Sequence, residues 1–219
     1  GEAENTVIPG MQHKYRQTAL ILSTNQCAMY CRHCFRKRLV GSSETEIASQ
    51  KDAMVEYVKE HAEITNVLIS GGDAFLCSNQ LLEDYIQAFC EIDHIDYIRL
   101  GTRIPVVLPQ RIIEDLELQQ ILRKYASKKT IFIITQFNHP RELTGEARKG
   151  IQILRECGCI VRNQAVLLQG VNDQARILAD LMNGLVRMGV IPYYIFQCRP
   201  VIGVKNQFQV PIEEGIRIV

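Results

Sequence analysis

Short apolar runs and longer amphipathic stretches alternate along most of the chain, and this alternation limits the folds open to it. Residues 130–135, which read TIFIIT, carry the β-branched side chains typical of a buried strand, whereas residues 175–188 repeat apolar side chains at helical spacing. Strands are predicted at residues 19–22, 66–70, 97–101, 130–135, 160–168 and 192–197. Helices are predicted between them at residues 51–61, 80–91, 116–125, 142–157 and 175–188.

Strands that alternate with helices form parallel sheets, and right-handed crossovers curl such a sheet into a barrel. A complete TIM barrel usually needs about 250 residues, and this chain has 219. We therefore predict an α/β fold, a partial (β/α)6 TIM-like barrel of parallel strands, with an open doubly wound sheet as the alternative. Residues 1–18 are expected to form an N-terminal extension and residues 19–219 the barrel domain. Residues 211–219 resemble the start of a helix, so the sequence is expected to be part of a longer protein.

The charge balance points to no nucleic-acid or membrane partner, because Lys plus Arg total 25 against 24 for Asp plus Glu. No apolar run is long enough to cross a bilayer, and no secretory signal opens the chain. We therefore expect neither a nucleic-acid nor a membrane partner. The chain has eight cysteines, and crowding of three of them on one short segment favours metal binding in a reducing cytoplasm over disulfides.

Polar segments follow five of the predicted strands. Because the carboxyl ends of parallel strands meet at one edge of the sheet, we expect these segments to form a common site. They are residues 27–34, 71–73, 101–103, 136–139 and 197–199.

The first of these segments holds Cys27, Cys31 and Cys34 in the spacing C-x3-C-x2-C. Thiolates are soft ligands that suit iron–sulfur clusters and zinc. Three of them can hold three irons of a [4Fe–4S] cluster, and the fourth iron stays open for the amino and carboxylate groups of S-adenosylmethionine (SAM). Ordinary ferredoxins use four thiolates per cluster. The alternatives are a zinc site completed by His33 or a distant cysteine, and three inert buried cysteines.

The segment QCAMYCRHCFRKR resembles the cysteine loop of the lysine 2,3-aminomutase family within the radical SAM superfamily. Further segments resemble that family in the same order, between about residues 9 and 198: LISGGDAFL, RLGTRIPVVLPQRI, TQFNHPREL, NQAVLLQGVND and PYYIFQC. The resemblance implies that an external electron donor reduces the cluster, that SAM yields a 5′-deoxyadenosyl radical, and that pyridoxal 5′-phosphate (PLP) carries the migrating nitrogen of an amino acid substrate. It also implies self-association into a homo-oligomer.

The resemblance assigns SAM contacts to Gly71, Gly72 and Asp73. The glycines allow close backbone approach, and the carboxylate accepts from the SAM ammonium. Arg103 and Gln136, at the next two strand ends, are further expected contacts. An ordinary turn at the Gly-Gly-Asp segment and a structural ion pair of Arg103 are the alternatives.

Arg36 matches the family arginine that binds the substrate α-carboxylate, for which a guanidinium is well suited. Its alternative role is a solvated member of a basic run. His13, Lys14 and Tyr15 resemble the segment that contacts the PLP phosphate, although Thr18 stands where the family often has another arginine.

Arg199 departs from the lysine-specific pattern, which has Asp at this position. A cation there repels a substrate ammonium and attracts a side-chain carboxylate. The sequence therefore looks more like a glutamate 2,3-aminomutase. Two alternatives remain: a lysine 2,3-aminomutase, acting on free or protein-bound lysine, in which Arg199 faces solvent, and an iron–sulfur redox or sensor module.

The lysine that forms the PLP imine lies, in the family, downstream of Val219. No residue of this chain is assigned that role, and Lys205 follows the last predicted strand too closely to match.

Overall fold

The computed structural model describes residues 3–41 and 47–219. Its centre is a sheet of eight strands in the order of the chain. The first three strands pair antiparallel, and every later pair is parallel. The strands are β1 (Thr6–Ile8), β2 (Met11–Tyr15), β3 (Thr18–Thr24), β4 (Asn66–Gly71), β5 (Tyr97–Gly101), β6 (Thr130–Thr135), β7 (Ile160–Leu167) and β8 (Ile191–Gln197).

Helices follow the parallel strands along the chain. They are α1 (Lys51–Glu60), α2 (Asn79–Cys90), α3 (Ile104–Val107), α4 (Gln110–Ile113), α5 (Leu116–Ala126), α6 (Gly145–Glu156), α7 (Ala175–Arg187), α8 (Lys205–Phe208) and α9 (Ile212–Ile218). Short 3-10 turns lie at Ala3–Asn5, Ala74–Leu76 and Pro140–Glu142. No helix in the described part of the chain has both the length and the apolar character needed to cross a membrane.

Side chains alternate in burial along the parallel strands, and this alternation separates a helix-covered face from an inner face. On β5, Ile98 and Leu100 are fully buried in the main apolar core, whereas Arg99 between them is half-buried. The same core takes Ile131 and Ile133 of β6. Helices on a single face and a strand order without reversal distinguish this arrangement from a doubly wound sheet. The predicted α/β fold with parallel strands β3–β8 is confirmed.

The N-terminal segment joins the sheet, which hydrophobic patterning did not predict. Strand β2 reads MQHKY, and only Met11 and Gln12 of it are buried, so its apolar signal is weak. It forms a tight hairpin with β3, in which Tyr15 pairs with Thr18. The expected division at residue 18 therefore falls within this hairpin.

Side-chain caps explain where several helices begin. Ser78 accepts a hydrogen bond from the Leu81 N–H at the start of α2, and Thr144 accepts from the Ala147 N–H at the start of α6. Such caps satisfy N–H groups that the helix itself leaves unpaired. The helix predicted from residue 142 therefore starts at Gly145, after a separate turn.

Buried asparagines attach the end of β6 to β7. Asn163 is 1% exposed; its Oδ1 accepts from the Phe137 N–H at 2.6 Å and its Nδ2 donates to the Phe137 carbonyl at 3.0 Å. Asn172 donates to the carbonyl of Asn138 at 2.8 Å, and Asn138 accepts from the Val166 N–H at 2.8 Å. These side chains replace the strand pairing that β6 has lost, and so hold the loop after β6 in place.

We expect Asn163→Ala to lower the free energy of unfolding by about 2–4 kcal/mol, because two backbone groups of Phe137 lose their partner inside the protein. Urea unfolding followed by circular dichroism measures the change. Gln152→Ala, at an exposed site on α6, should cost less than about 0.5 kcal/mol. Equal stability of the two variants would contradict the role of Asn163.

Candidate active site

The cysteine loop leaves the end of β3 and lies against the end of β4. The Gly72 N–H donates to the Thr24 carbonyl at 2.6 Å, and the Asp73 N–H donates to the Gln26 carbonyl at 2.8 Å. The loop therefore begins as a backbone extension of the sheet edge, and its position depends on residues 71–73.

Gly71 and Gly72 make this approach possible. A Cβ on Gly71 would lie 2.2 Å from the Thr24 carbonyl oxygen, and a Cβ on Gly72 would lie 2.1 Å from the Gln26 carbonyl oxygen. Gly71 also has φ +134°, a conformation that side chains rarely adopt. The two glycines are therefore required by the backbone of the cysteine loop itself.

Cys27, Cys31 and Cys34 are half-buried on this loop, and none of the eight cysteines, all within the described residues, is in a disulfide. The Cys34 N–H donates to the Cys31 carbonyl at 3.0 Å. Burial raises the pKa of Cys34, and negative charge on Cys31 and Cys27 acts in the same direction. The three sulfurs therefore share one electrostatic neighbourhood. Tyr30, between two of them, has φ +50°, which is strained for a residue other than glycine.

The side chains do not converge as a formed metal site: within residues 3–41 and 47–219, no group of three His, Cys, Asp or Glu is arranged to hold a metal ion. The same holds for a zinc site built from the cysteines and His33. The chemistry of the donors nevertheless fits an iron–sulfur cluster, because three soft thiols stand on one irregular loop. Burial and the charge of Arg103 lower the pKa of His33, which favours a neutral ring beside the cysteines.

Arg103 connects four strand ends. Its backbone N–H donates to Asp73 Oδ2 at 2.6 Å, and its Nε donates to the Gln136 carbonyl at 3.1 Å. Its Nη1 donates to Cys31 Sγ at 2.7 Å, and its Nη2 pairs with Glu142 Oε1 at 2.7 Å. The structural ion pair that was one alternative for Arg103 is thus present, and it brings the predicted SAM contacts together with the cysteine loop.

Asp73 is 2% exposed, and both of its carboxylate oxygens have partners. The Thr102 hydroxyl donates to Oδ1 at 2.6 Å, the Phe75 N–H donates to Oδ1 at 3.0 Å, and the Arg103 N–H donates to Oδ2. Burial raises the pKa of Asp73, and these hydrogen bonds oppose the rise. Asp73 therefore organises the loops after β4 and β5, and a SAM ammonium would share oxygens that already accept.

The two expected substrate residues, Arg36 and Arg199, come together although they are distant in sequence. Their guanidinium carbons lie 5.0 and 4.6 Å from the centroid of the same Phe35 ring. Arg36 Nη1 also donates to the Ser70 hydroxyl of β4 at 3.4 Å. Phe35 and Arg199 are exposed, so the two cations form a positively charged surface beside the cysteine loop that attracts negative charge.

The segment with His13, Lys14 and Tyr15 lies at the other end of β3. Tyr15 pairs with Thr18, and the length of β3, about 20 Å at about 3.3 Å per residue, separates it from the cysteine loop. The His13 ring nitrogens contact the Tyr57 hydroxyl at 3.0 Å and the Arg16 carbonyl at 3.1 Å. The structure therefore does not bring this segment together with the strand-end site.

Sequence reasoning missed Glu142 and Thr102. Glu142 also accepts from the backbone N–H groups of Asn138, at 2.5 Å, and His139, at 3.2 Å, so it shapes the loop after β6 while it pairs with Arg103. The helical pattern of residues 142–157 predicts Glu142 at the start of a helix instead. Its position in the segment TQFNHPREL was the available signal. Thr102 stands next to Arg103, and its contact with Asp73 has no signature in the sequence.

No family model matches the chain. An L-lysine 2,3-aminomutase of Acetoanaerobium sticklandii is 42% identical over 219 residues, which cover 100% of this chain and 51% of that protein. An L-lysine 2,3-aminomutase of Fusobacterium nucleatum is 43% identical over 219 residues, covering 100% of this chain and 50% of the relative. A glutamate 2,3-aminomutase of Clostridioides difficile is 39% identical over 207 residues, covering 94% and 48%. The chain thus spans about half the length of the curated relatives it matches.

Solved structures share the fold at low sequence identity. A radical SAM methyltransferase from Sphaerobacter thermophilus has a TM-score of 0.59 at 16% identity, covering 95% of this chain and 64% of its own. The protein anSMEcpe, solved with bound AdoMet and a Cp18Cys peptide, has a TM-score of 0.59 at 12% identity, covering 82% of this chain and 50% of its own.

The fold of this chain is the one seen in a radical SAM enzyme of known structure. In sequence the chain is similar, along its length, to the lysine and glutamate 2,3-aminomutases. The resemblance expected from the cysteine loop and the strand-end segments is confirmed.

We expect Gly72→Ala to lower the free energy of unfolding by about 1–3 kcal/mol, because the added methyl group meets the Gln26 carbonyl. Iron content after anaerobic reconstitution should also fall, because the cysteine loop has to move. Gly145→Ala is the matched control: a Cβ there meets nothing within 4 Å, so its stability should be unchanged or slightly higher. A Gly72→Ala protein with unchanged stability and iron content would contradict the close approach of the two backbones.

Proposed function

We propose that the chain is the radical SAM part of a 2,3-aminomutase that moves the amino group of glutamate. Three observations support the enzyme class: the radical SAM fold, the similarity to 2,3-aminomutases along the chain, and three cysteines on the loop beside Arg103. The single observation that carries the choice of glutamate is the placement of Arg199 with Arg36 on the ring of Phe35.

The cofactors and the protein residues would have separate roles. When bound, a [4Fe–4S] cluster with SAM supplies the radical and PLP supplies the nitrogen carrier. Cys27, Cys31 and Cys34 would hold the cluster. Arg103 would hold the cysteine loop against the loops after β4, β5 and β6. The residues expected to contact SAM on these loops are Gly71, Gly72, Asp73 and Gln136.

Arg36 and Arg199 would orient the substrate. Arg36 would bind the α-carboxylate, and Arg199 would bind the side-chain carboxylate of the same molecule. Bidentate guanidinium contacts hold a carboxylate in a defined direction, which positions the carbon that loses hydrogen. The ammonium of a lysine side chain would instead be repelled by the charge of Arg199.

Lysine is the second candidate. The two lysine 2,3-aminomutases above are 42% and 43% identical to this chain, and the glutamate enzyme is 39% identical. Arg199 would then point away from the substrate.

Some parts of the proposed enzyme have no assigned residue in this chain. We place the lysine that forms the PLP imine outside the 219 residues, and we propose a cytoplasmic enzyme, self-associated, that receives electrons from an external donor.

Anaerobic reconstitution followed by SAM and dithionite tests the enzyme class. We expect production of 5′-deoxyadenosine, measured by chromatography, and its loss together with the visible iron–sulfur absorbance in Cys31→Ala, because the cluster loses a ligand. Cys90→Ala, the same change at the end of α2, should retain both. Redox cycling without SAM cleavage would support an iron–sulfur redox or sensor module instead, and retained cleavage in Cys31→Ala would remove Cys31 from the ligand set.

A panel of amino acids, with β-amino products identified by mass spectrometry, tests the substrate. In the whole protein, Arg199→Asp should lower kcat/KM for glutamate at least about tenfold, because a carboxylate then faces a carboxylate. Arg187→Asp, which makes the same charge change at an exposed position on α7, should leave it unchanged. Equal glutamate kinetics in the two variants, or turnover of lysine alone by the unmodified enzyme, would exclude Arg199 from a glutamate pocket.

A further inference from the structure

Two arginines stand on the inner face of the sheet, away from the strand ends. Arg99 lies on β5 between the fully buried Ile98 and Leu100, and Arg162 lies on β7 between the buried Val161 and Asn163. The buried neighbours belong to the helix-covered face. Side chains alternate between the faces of a strand, so both guanidinium groups lie on the opposite, inner side.

In the described part of the chain, the groups that hold Arg99 are neutral. Its Nη2 donates to Asn66 Oδ1 at 2.6 Å and to Thr18 Oγ1 at 3.3 Å. Its Nε is buried and has no hydrogen-bond partner. Burial lowers the pKa of Arg99, the hydroxyls of Tyr97 and Tyr193 oppose this effect, and the charge of Arg162 adds to it. Arg99 is the register partner of Phe132 on β6, and the guanidinium of Arg162 lies over the same Phe132 ring, so the two cations are neighbours on the inner face.

Arg162 is held by aromatic rings. Its guanidinium carbon lies 4.0 Å from the centroid of Phe132 and 4.8 Å from the centroid of Tyr193. Its Nε is buried without a partner, and no carboxylate in residues 3–41 or 47–219 forms an ion pair with it. The rings orient the guanidinium plane but supply no negative charge.

Burial of two neighbouring cations without an anion is unfavourable. A structure that orients both cations is therefore expected to bind an anion. We propose that Arg99 and Arg162 form an oxyanion site on the inner face of the barrel, which takes a phosphate monoester or a carboxylate. Guanidinium groups bind both through paired N–H donors. Tyr193 is 41% exposed, so the site is open to a ligand from the barrel interior.

The identity of the ligand rests on the proposed function, and two sources share the required chemistry. One is the phosphate of PLP. The other is a carboxylate of the amino acid substrate, which would then replace the contact proposed above for Arg36 or Arg199. A phosphate monoester carries nearly two negative charges at neutral pH and so matches two guanidinium groups. The His13 ring does not face this site, because its nitrogens contact Tyr57 and the Arg16 carbonyl.

Isothermal titration of the whole protein, reconstituted with its cluster and freed of PLP, tests the site. The probes are pyridoxine 5′-phosphate, which has no aldehyde and needs no lysine, inorganic phosphate, and glutarate. We expect Arg162→Gln to weaken at least one probe about tenfold or more. Arg187→Gln, on the exposed side of α7, should weaken none. If Arg162→Gln does not fold, Arg162→Lys, which keeps the charge and loses the planar fork, should still weaken binding.

The pattern of losses identifies the ligand. Weaker binding of pyridoxine 5′-phosphate and phosphate with unchanged glutarate assigns the site to the cofactor, and the reverse assigns it to the substrate. Unchanged affinity for all three probes in the Arg162 variant, or no binding of any probe to the unmodified protein, overturns the proposal. SAM cleavage is measured on the same preparations: its absence beside an intact Arg162-dependent site would refute the aminomutase function and leave the oxyanion site standing.

Discussion

One residue, Arg103, holds the strand-end region in a single arrangement. Its backbone amide bonds the loop after β4, and its guanidinium bonds the cysteine loop, the loop after β6 and the carboxylate of Glu142. Its side chain is 11% exposed, so these charged contacts are shielded from water and are stronger than surface pairs. The proposed radical chemistry needs these loops in fixed relative positions, and one buried cation holds them there.

Much of the fold could be predicted because its signals are local. The apolar run of β6 and the helical spacing of apolar residues in α7 are each visible within their own segment of the sequence. Gly71-Gly72 marks the end of β4 in the same way. The pairing of Arg103 with Glu142 could not be predicted, because the two residues meet only when neighbouring strands align. Strand β2 could not be predicted for a related reason: its polar residues gain strand structure by pairing with neighbouring strands such as β3.

The arginines at and near the site fall into two groups. In the described part of the chain, Arg103 pairs with a carboxylate, whereas Arg162 and Arg199 rest on aromatic rings. An aromatic ring orients a guanidinium and leaves its N–H edges free for a ligand. Arg103 thus has a structural role, whereas Arg162 and Arg199 keep N–H groups available for an anionic ligand. This difference supports the two proposals made above, a dicarboxylate substrate at Arg199 and an oxyanion site at Arg162.

The hairpin of β2 and β3 has a consequence for anyone who shortens this protein. Strand β3 pairs with β2 on one side and with β4 on the other. Deletion of the residues before Thr18 would leave a long row of amide and carbonyl groups of β3 without partners. Such an unpaired edge can pair with strands of other molecules. The shortened protein should therefore aggregate even if its remaining apolar core is stable.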